Sequence, residues 1–167
     1  GTIEAAASVL LMVDLQARLM PAIADGEAVL REAKRLLGAA ALCGVPALFT
    51  EQNPGRLGAT VPELAPGSPS LPKMCFDAAR DPGFAAALPD RPTVLIAGVE
   101  AHVCVLQTAL SLVDRGRRVA VVEDAVGSRA PASKAAALRR MERHGVEIVT
   151  AEMAVFEWLG SAIASLN

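Results

Sequence analysis

The sequence predicts an α/β fold, a three-layer α/β/α sandwich around a mostly parallel sheet of about six strands with Rossmann-like topology. Three observations predict it. Short apolar runs alternate with longer stretches of helical periodicity, from SVLLMV near the start to the AEMAVFEWL segment near the end. The runs are apolar at successive positions, as in strands covered on both faces. Glycine stands just past three of the helical stretches, at Gly44, Gly116 and Gly145, where a chain leaving a helix needs positive φ. A length of 167 residues with no internal linker suits one domain over residues 1–167.

Each element follows from local pattern. Ser8–Val13 is the first buried strand. Ala28–Cys43 is a helix, with Val29, Ala33, Leu36, Leu37 and Ala40 at helical spacing, and Val45–Thr50 is the second strand, its Pro46 tolerated near a strand start. Between Glu51 and Pro72, Pro54, Pro62, Pro66, Pro69 and Pro72 with Gly55, Gly58 and Gly67 leave room only for a long loop, of a length usually tied to function. Lys73–Phe76 is expected as a short strand, Pro82–Leu88 as a short helix and Thr93–Gly98 as the clearest strand. Ala101–Arg115 is a helix with a seam of Val103, Leu106, Leu110 and Val113, followed by a strand at Arg118–Val122. Pro131–His144 is a helix that carries proline at its first position. A strand at Glu147–Thr150 and a helix at Glu152–Leu159 complete the order.

Composition narrows the function. Sixteen basic against eighteen acidic residues give a net charge of −2, so there is no electrostatic footprint for nucleic acid. Four Phe, one Trp and no Tyr do not make a base-stacking platform. The mean hydropathy of +0.40 is high, yet the longest uncharged run, Leu36–Thr50, is interrupted by Gly38, Gly44 and Pro46 and is too short to span a bilayer. No basic segment precedes the apolar stretch Ala5–Val13, so a secretory leader is not expected. Cys43, Cys75 and Cys104 form no Cys-x-x-Cys motif, which fits a reducing cytoplasm.

In open parallel sheets, ligands bind beyond the carboxyl ends of the strands. Asp14 stands directly after the first strand, where a partly desolvated carboxylate can carry protons. Cys104, in GVEAHVCV, falls in the first turn after the clearest strand. A helix N-terminus there is expected to hold its thiol below the ordinary range and to offer N–H groups to an oxyanion. Lys73 stands in an apolar setting and calls for an anionic partner, which Asp14 or the thiolate can supply. Taken singly, each also has a plain structural use: Asp14 as a cap, Cys104 as a buried inert thiol, Lys73 as a surface cation.

Taken in order, LMVDLQ, FTEQNPGRLGATVPEL, the Lys73-Met-Cys-Phe segment, IAGVEAHVCVLQTALSL, EDAVGSRAPASKAAALRRM and AEMAVFEWL resemble the isochorismatase-like cysteine hydrolase superfamily. The likeness is greatest to its short, single-domain members. It implies a catalytic triad of Asp14, Lys73 and Cys104, in which the thiolate attacks a carbonyl, the aspartate manages protons and the lysine stabilises negative charge. Water then cleaves the acyl-enzyme. It further implies a cis peptide at Val99–Glu100 that turns backbone N–H groups from Ala101 to Cys104, Val103 among them, toward an oxyanion. Gln52 corresponds to a glutamine that touches substrate in isochorismatases, and homo-oligomers, dimers or larger, are common in the family.

Nicotinamidases of that superfamily carry an Asp and closely spaced histidines for a metal; here only His102 and His144 occur, and TEQNPGRLG replaces that stretch. No metal or cofactor is therefore expected. Arg56 is the one nearby base for an anionic substrate, which argues against isochorismate. Cys75, two residues after Lys73 along the expected strand, and His102, beside the nucleophile turn, are further candidates for the pocket, while Cys43 is expected in the core. The expectation is a metal-independent cysteine hydrolase of a small-molecule amide-like or related C–N bond, with no nucleic-acid or membrane partner. The alternatives are vinyl-ether hydrolysis of the isochorismatase type and a non-catalytic binding or assembly protein.

Overall fold

The first buried run becomes β1 (Ser8–Val13), and its side chains alternate between two cores. Leu10 and Met12 enter one, while Val9, Leu11 and Val13 enter the other. The strand period of two, with both faces covered, is why the run shows no polar alternation. The computed structural model describes residues 1–64 and 67–162, so Pro66 and the last five positions of the expected domain lie outside the described residues.

β2 (Ala47–Gln52), β3 (Ser70–Lys73), β4 (Thr93–Val99), β5 (Arg118–Gly127) and β6 (Glu147–Val149) join β1 in one six-stranded sheet of order β3-β2-β1-β4-β5-β6. Every pairing is parallel. The chain builds outward from β1 to β3, returns to lay β4 against the free side of β1, then builds outward to β6. Order reverses between β1 and β4, so the crevice at their carboxyl ends is the expected ligand position.

Helix α1 (Gly26–Cys43) and the last helix (Ala151–Leu159) share one core with the sheet. The other core holds Phe84 from a short helix (Phe84–Ala87), with residues of the helices Leu106–Asp114 and Pro131–Arg143. A single helical turn, Pro54–Leu57, links β2 to β3. In chain order these are α6, α3, α4, α5 and α2. No described helix is long and apolar enough to cross a membrane.

Several boundaries move, each for a local reason. The second strand begins at Ala47 rather than Val45, because the Val45 N–H closes α1 on the Ala40 carbonyl at 2.8 Å. It extends to Gln52, which brings Glu51 and Gln52 out of the expected loop and into the sheet. The third strand is Ser70–Lys73, not Lys73–Phe76, because Phe49 to Gln52 pair with Ser70 to Lys73. Pro72 lacks an N–H and is accommodated because β3 is an edge strand. The helix expected from Ala101 opens instead as a π-helical turn, Ala101–Val105, before α4. β5 continues past Val122 to Gly127 after a register shift opposite Ile96 and Gly98. The Val99–Glu100 peptide is cis.

Candidate active site

Strand ends deliver the site. Asp14 follows β1 in a left-handed conformation, with φ of 54°, which Asp tolerates better than bulkier residues. Its N–H donates to the Thr50 carbonyl at 3.1 Å. Its side chain is wholly buried; Oδ1 accepts from Thr50 Oγ1 at 2.7 Å and Oδ2 from Lys73 Nζ at 3.0 Å. Lys73 is the last residue of β3, so this ion pair reaches across the end of β2.

The buried ammonium has more acceptors than protons. Besides Asp14, Lys73 Nζ meets Gln52 Oε1 at 2.5 Å, the Cys75 carbonyl at 3.1 Å and the Phe76 carbonyl at 3.2 Å. Three N–H bonds shared among four oxygens offset the desolvation that an interior charge suffers. Gln52 is itself held: Nε2 donates to the Met74 carbonyl at 2.7 Å, and Gln16 Oε1 accepts from the Gln52 N–H at 2.8 Å. Gln16 Nε2 donates to the carbonyls of Gln52 and Gly58.

Cys104 lies in the π-helical turn beyond β4, 6% exposed, with Sγ 4.0 Å from Gln52 Oε1. Burial first, and then the Asp14 charge, push its thiol up from 9.0 to about 12, with Lys73 pulling the other way. The expectation of a depressed thiol is thus reversed. Desolvation and a neighbouring carboxylate outweigh whatever the helix end contributes.

Across the crevice, Glu100 is 8% exposed and takes the Arg129 N–H at 3.0 Å and Arg129 Nε at 3.0 and 3.1 Å. Asp14, Gln52, Glu100 and Cys104 form the polar wall of a cavity of about 110 Å³. Leu19, Leu57, Phe76 and Val103 form its apolar wall.

The structure thus brings Asp14, Gln52, Glu100, Val103 and Cys104 to one cavity with Lys73 directly behind it, while Val99 and Ala101 are buried beside the turn. Three candidates are not on its wall. Arg56 is exposed on α2, where its carbonyl accepts from Arg18 Nη1 at 3.0 Å. Cys75 is exposed, because the chain turns away after Lys73 and ends the shared strand face. His102 is held sideways, with Nδ1 2.8 Å from Ser128 Oγ. Val103 gives the cavity its side chain, but its N–H donates to the Glu100 carbonyl at 3.1 Å instead of facing the cavity as an oxyanion donor. Cys43 is half-buried against the core. Thr50, Gln16 and Arg129 escaped the sequence reading. The available signal for the first two was a polar residue at or just beyond a strand's carboxyl end. Among the described residues, no group of three or more His, Cys, Asp or Glu is placed to hold a metal ion.

Known proteins resemble both sequence and fold. The chain is 39% identical over 166 residues to isochorismatase domain-containing protein 2 of Macaca fascicularis, covering 97% of this chain and 80% of that protein. The structure of MAR1 ribonuclease from Caenorhabditis elegans superposes with a TM-score of 0.91 at 34% identity, covering 97% of this chain and 86% of that one. The ycaC gene product of Escherichia coli, an octameric hydrolase of unknown specificity, superposes with a TM-score of 0.92 at 26% identity, covering 99% and 87%. The isochorismatase domain model matches residues 8–153, which span all six strands and the whole candidate site. The chain belongs to the isochorismatase domain family.

Proposed function

We propose that the chain is a metal-independent cysteine hydrolase of a small-molecule amide-like or related C–N bond, with Cys104 as nucleophile, Asp14 as proton carrier and Lys73 as electrostatic stabiliser. The observation that carries this reading is the wholly buried Asp14–Lys73 pair, with Asp14 and Cys104 lining one cavity and Lys73 behind it. A thiol pushed up to about 12 stores little thiolate. Its proton therefore passes to Asp14 as Sγ bonds to the carbonyl carbon, and Lys73 keeps the local charge balanced. The C–N bond then breaks as Asp14 returns that proton to the leaving nitrogen, leaving a thioester. Water attacks the thioester, its proton goes to Asp14, and the carbon–sulfur bond breaks to release the acid and restore the thiol.

Lys73 acts through charge rather than by binding substrate, since its protons are already shared among four oxygens. The octameric E. coli relative supports a homo-oligomer here, and a reducing cytoplasm suits three free thiols. The C. elegans relative bears a ribonuclease name; a net charge of −2 and two carboxylates in a cavity of about 110 Å³ favour a small molecule over an RNA backbone for this chain.

Turnover of small amides, carbamoyl compounds and vinyl ethers by wild type, Cys104→Ala and Asp14→Asn tests the reading. Expected are C–N cleavage, an acyl adduct on Cys104 in quenched reactions, and a loss of about 10³-fold or more in both variants. Undiminished turnover by Cys104→Ala, or turnover of vinyl ethers alone, would overturn it.

A further inference from the structure

We infer that the cavity selects a short, uncharged acyl group and rejects carboxylate-bearing compounds, an inference that rests on reading Cys104 as the nucleophile. Charge placement carries the first half. The described residues on the cavity wall include two carboxylates, Asp14 and Glu100, and no Lys or Arg. Of the neighbouring cations, Lys73 stands behind Asp14, and Arg129, largely exposed and paired with Glu100, is not on the cavity wall. Lys73 has no solvent exposure and distributes its three protons over four protein oxygens, so none remains for a ligand. Arg129 turns Nε and its own N–H onto Glu100.

Gln52 gives Oε1 to Lys73 and one Nε2 proton to the Met74 carbonyl, and its amide carries no charge to offset a ligand's. An entering carboxylate therefore meets two carboxylates whose cations are already paired with them, and finds no Lys or Arg on the described wall to bind it. A neutral amide meets neither problem.

Size carries the second half. A cavity of about 110 Å³ is smaller than the ~150 Å³ that admits benzene, and well below the ~300 Å³ at which drug-sized pockets begin. The wall offers Leu19, Leu57 and Val103 to the acyl chain. Phe76, also on the wall, is 53% exposed and so marks the mouth, through which a leaving group can project. The class is a short-chain uncharged amide, with only the acyl end confined.

Alkylation of Cys104 reads this selection without knowledge of the substrate. Chloroacetamide and chloroacetate have the same number of non-hydrogen atoms and differ in charge. In each case sulfur bonds to the methylene carbon, chloride leaves, and the thiol proton is released. Rates at pH 9 are measured by peptide-resolved mass spectrometry on the folded Cys75→Ser protein, which lacks the exposed thiol, and divided by those of glutathione. We expect a normalised preference for chloroacetamide of at least tenfold, severalfold reduced by Glu100→Gln, and exclusion of the bulkier 2-chloro-2-phenylacetamide. Equal normalised rates for the amide and the acid, or ready entry of the phenyl reagent, would overturn the selection and leave the nucleophile intact. Absence of Cys104 labelling by all three, with full labelling after unfolding, would overturn the nucleophile and the selection together.

Discussion

Lys73 Nζ lies 3.0 Å from Asp14 Oδ2 across the end of β2, and neither side chain has any solvent exposure. Breaking such a pair strands the surviving charge, so the two single variants differ in a predictable way. Lys73→Met leaves a buried carboxylate with neutral hydroxyl and thiol partners, Thr50 and Cys104, in place of its counter-ion and is expected to cost about 3–5 kcal/mol. Asp14→Asn leaves the ammonium its Gln52, Cys75 and Phe76 oxygens and should cost less. The double variant should be more stable than the sum of the two losses implies, because neither charge is then left alone. Urea unfolding of the four proteins measures the cycle; simple additivity would mean that the pair contributes no coupling.

Cys104 makes its own pH signature. Its thiol sits at about 12 in the folded chain against an ordinary 9.0, so between those values the folded state holds a proton that the unfolded state has lost. The associated stability is complete below about pH 9 and declines as pH rises, by at most ~1.4 kcal/mol per unit. Wild type should therefore lose stability faster than Cys104→Ala over this range. Over pH 7–10, alkylation of Cys104 by chloroacetamide should rise about tenfold per unit without a plateau. Burial, the larger cause of the raised thiol, persists in Asp14→Asn, but the Asp14 charge is removed, so its Cys104 should alkylate faster at pH 8 while amide turnover falls. Slower alkylation in that variant would show that Asp14 does not raise the thiol.

The fold was legible because both faces of the sheet are covered: a strand such as Val94 to Ile96 can be read from continuous apolar character alone. Asp14, Lys73 and Cys104 could be picked out because the parallel topology gathers strand ends. What stayed hidden depends on register and chain direction. Cys75 looked like a neighbour of Lys73 because a strand was expected to run through both, and no local pattern says that β3 stops at Lys73. The hydrogen bond from Thr50 to Asp14 requires knowing which strands pair. The elevated thiol of Cys104 reflects a depth of burial that a helix-terminus argument does not contain.

Gly98 permits the close approach of β4 to β1 just before Asp14. Its φ is +131°, and a Cβ there would lie 2.0 Å from the Val13 carbonyl oxygen, next to Asp14. Neither the dihedral nor the clash can relax by rotating a side chain, since the obstructing atoms are β1 backbone. Gly98→Ala should lose more than about 4 kcal/mol or fail to accumulate as folded protein. The comparison is Gly38→Ala, with nothing within 4 Å of the new Cβ, which should be neutral or stabilising. Similar thermal midpoints for the two variants would contradict this packing.

Thr50 positions rather than reacts, because its hydroxyl reaches Asp14 Oδ1 at 2.7 Å and it is absent from the cavity wall. With Oδ2 on Lys73, that bond fixes the rotation of the carboxylate about its own axis. Thr50→Val keeps the shape but removes the donor from a fully buried oxygen, at a cost of about 1–3 kcal/mol in stability. A carboxylate free to rotate presents its proton-accepting lone pair to Sγ for less of the time, so kcat should fall about tenfold or more while KM changes little. Thr50→Ser restores the hydroxyl and should recover most of kcat despite the lost methyl contacts. Equal damage by Val and Ser would show that the hydrogen bond to Asp14 does not set kcat, since Ser keeps the hydroxyl and Val does not.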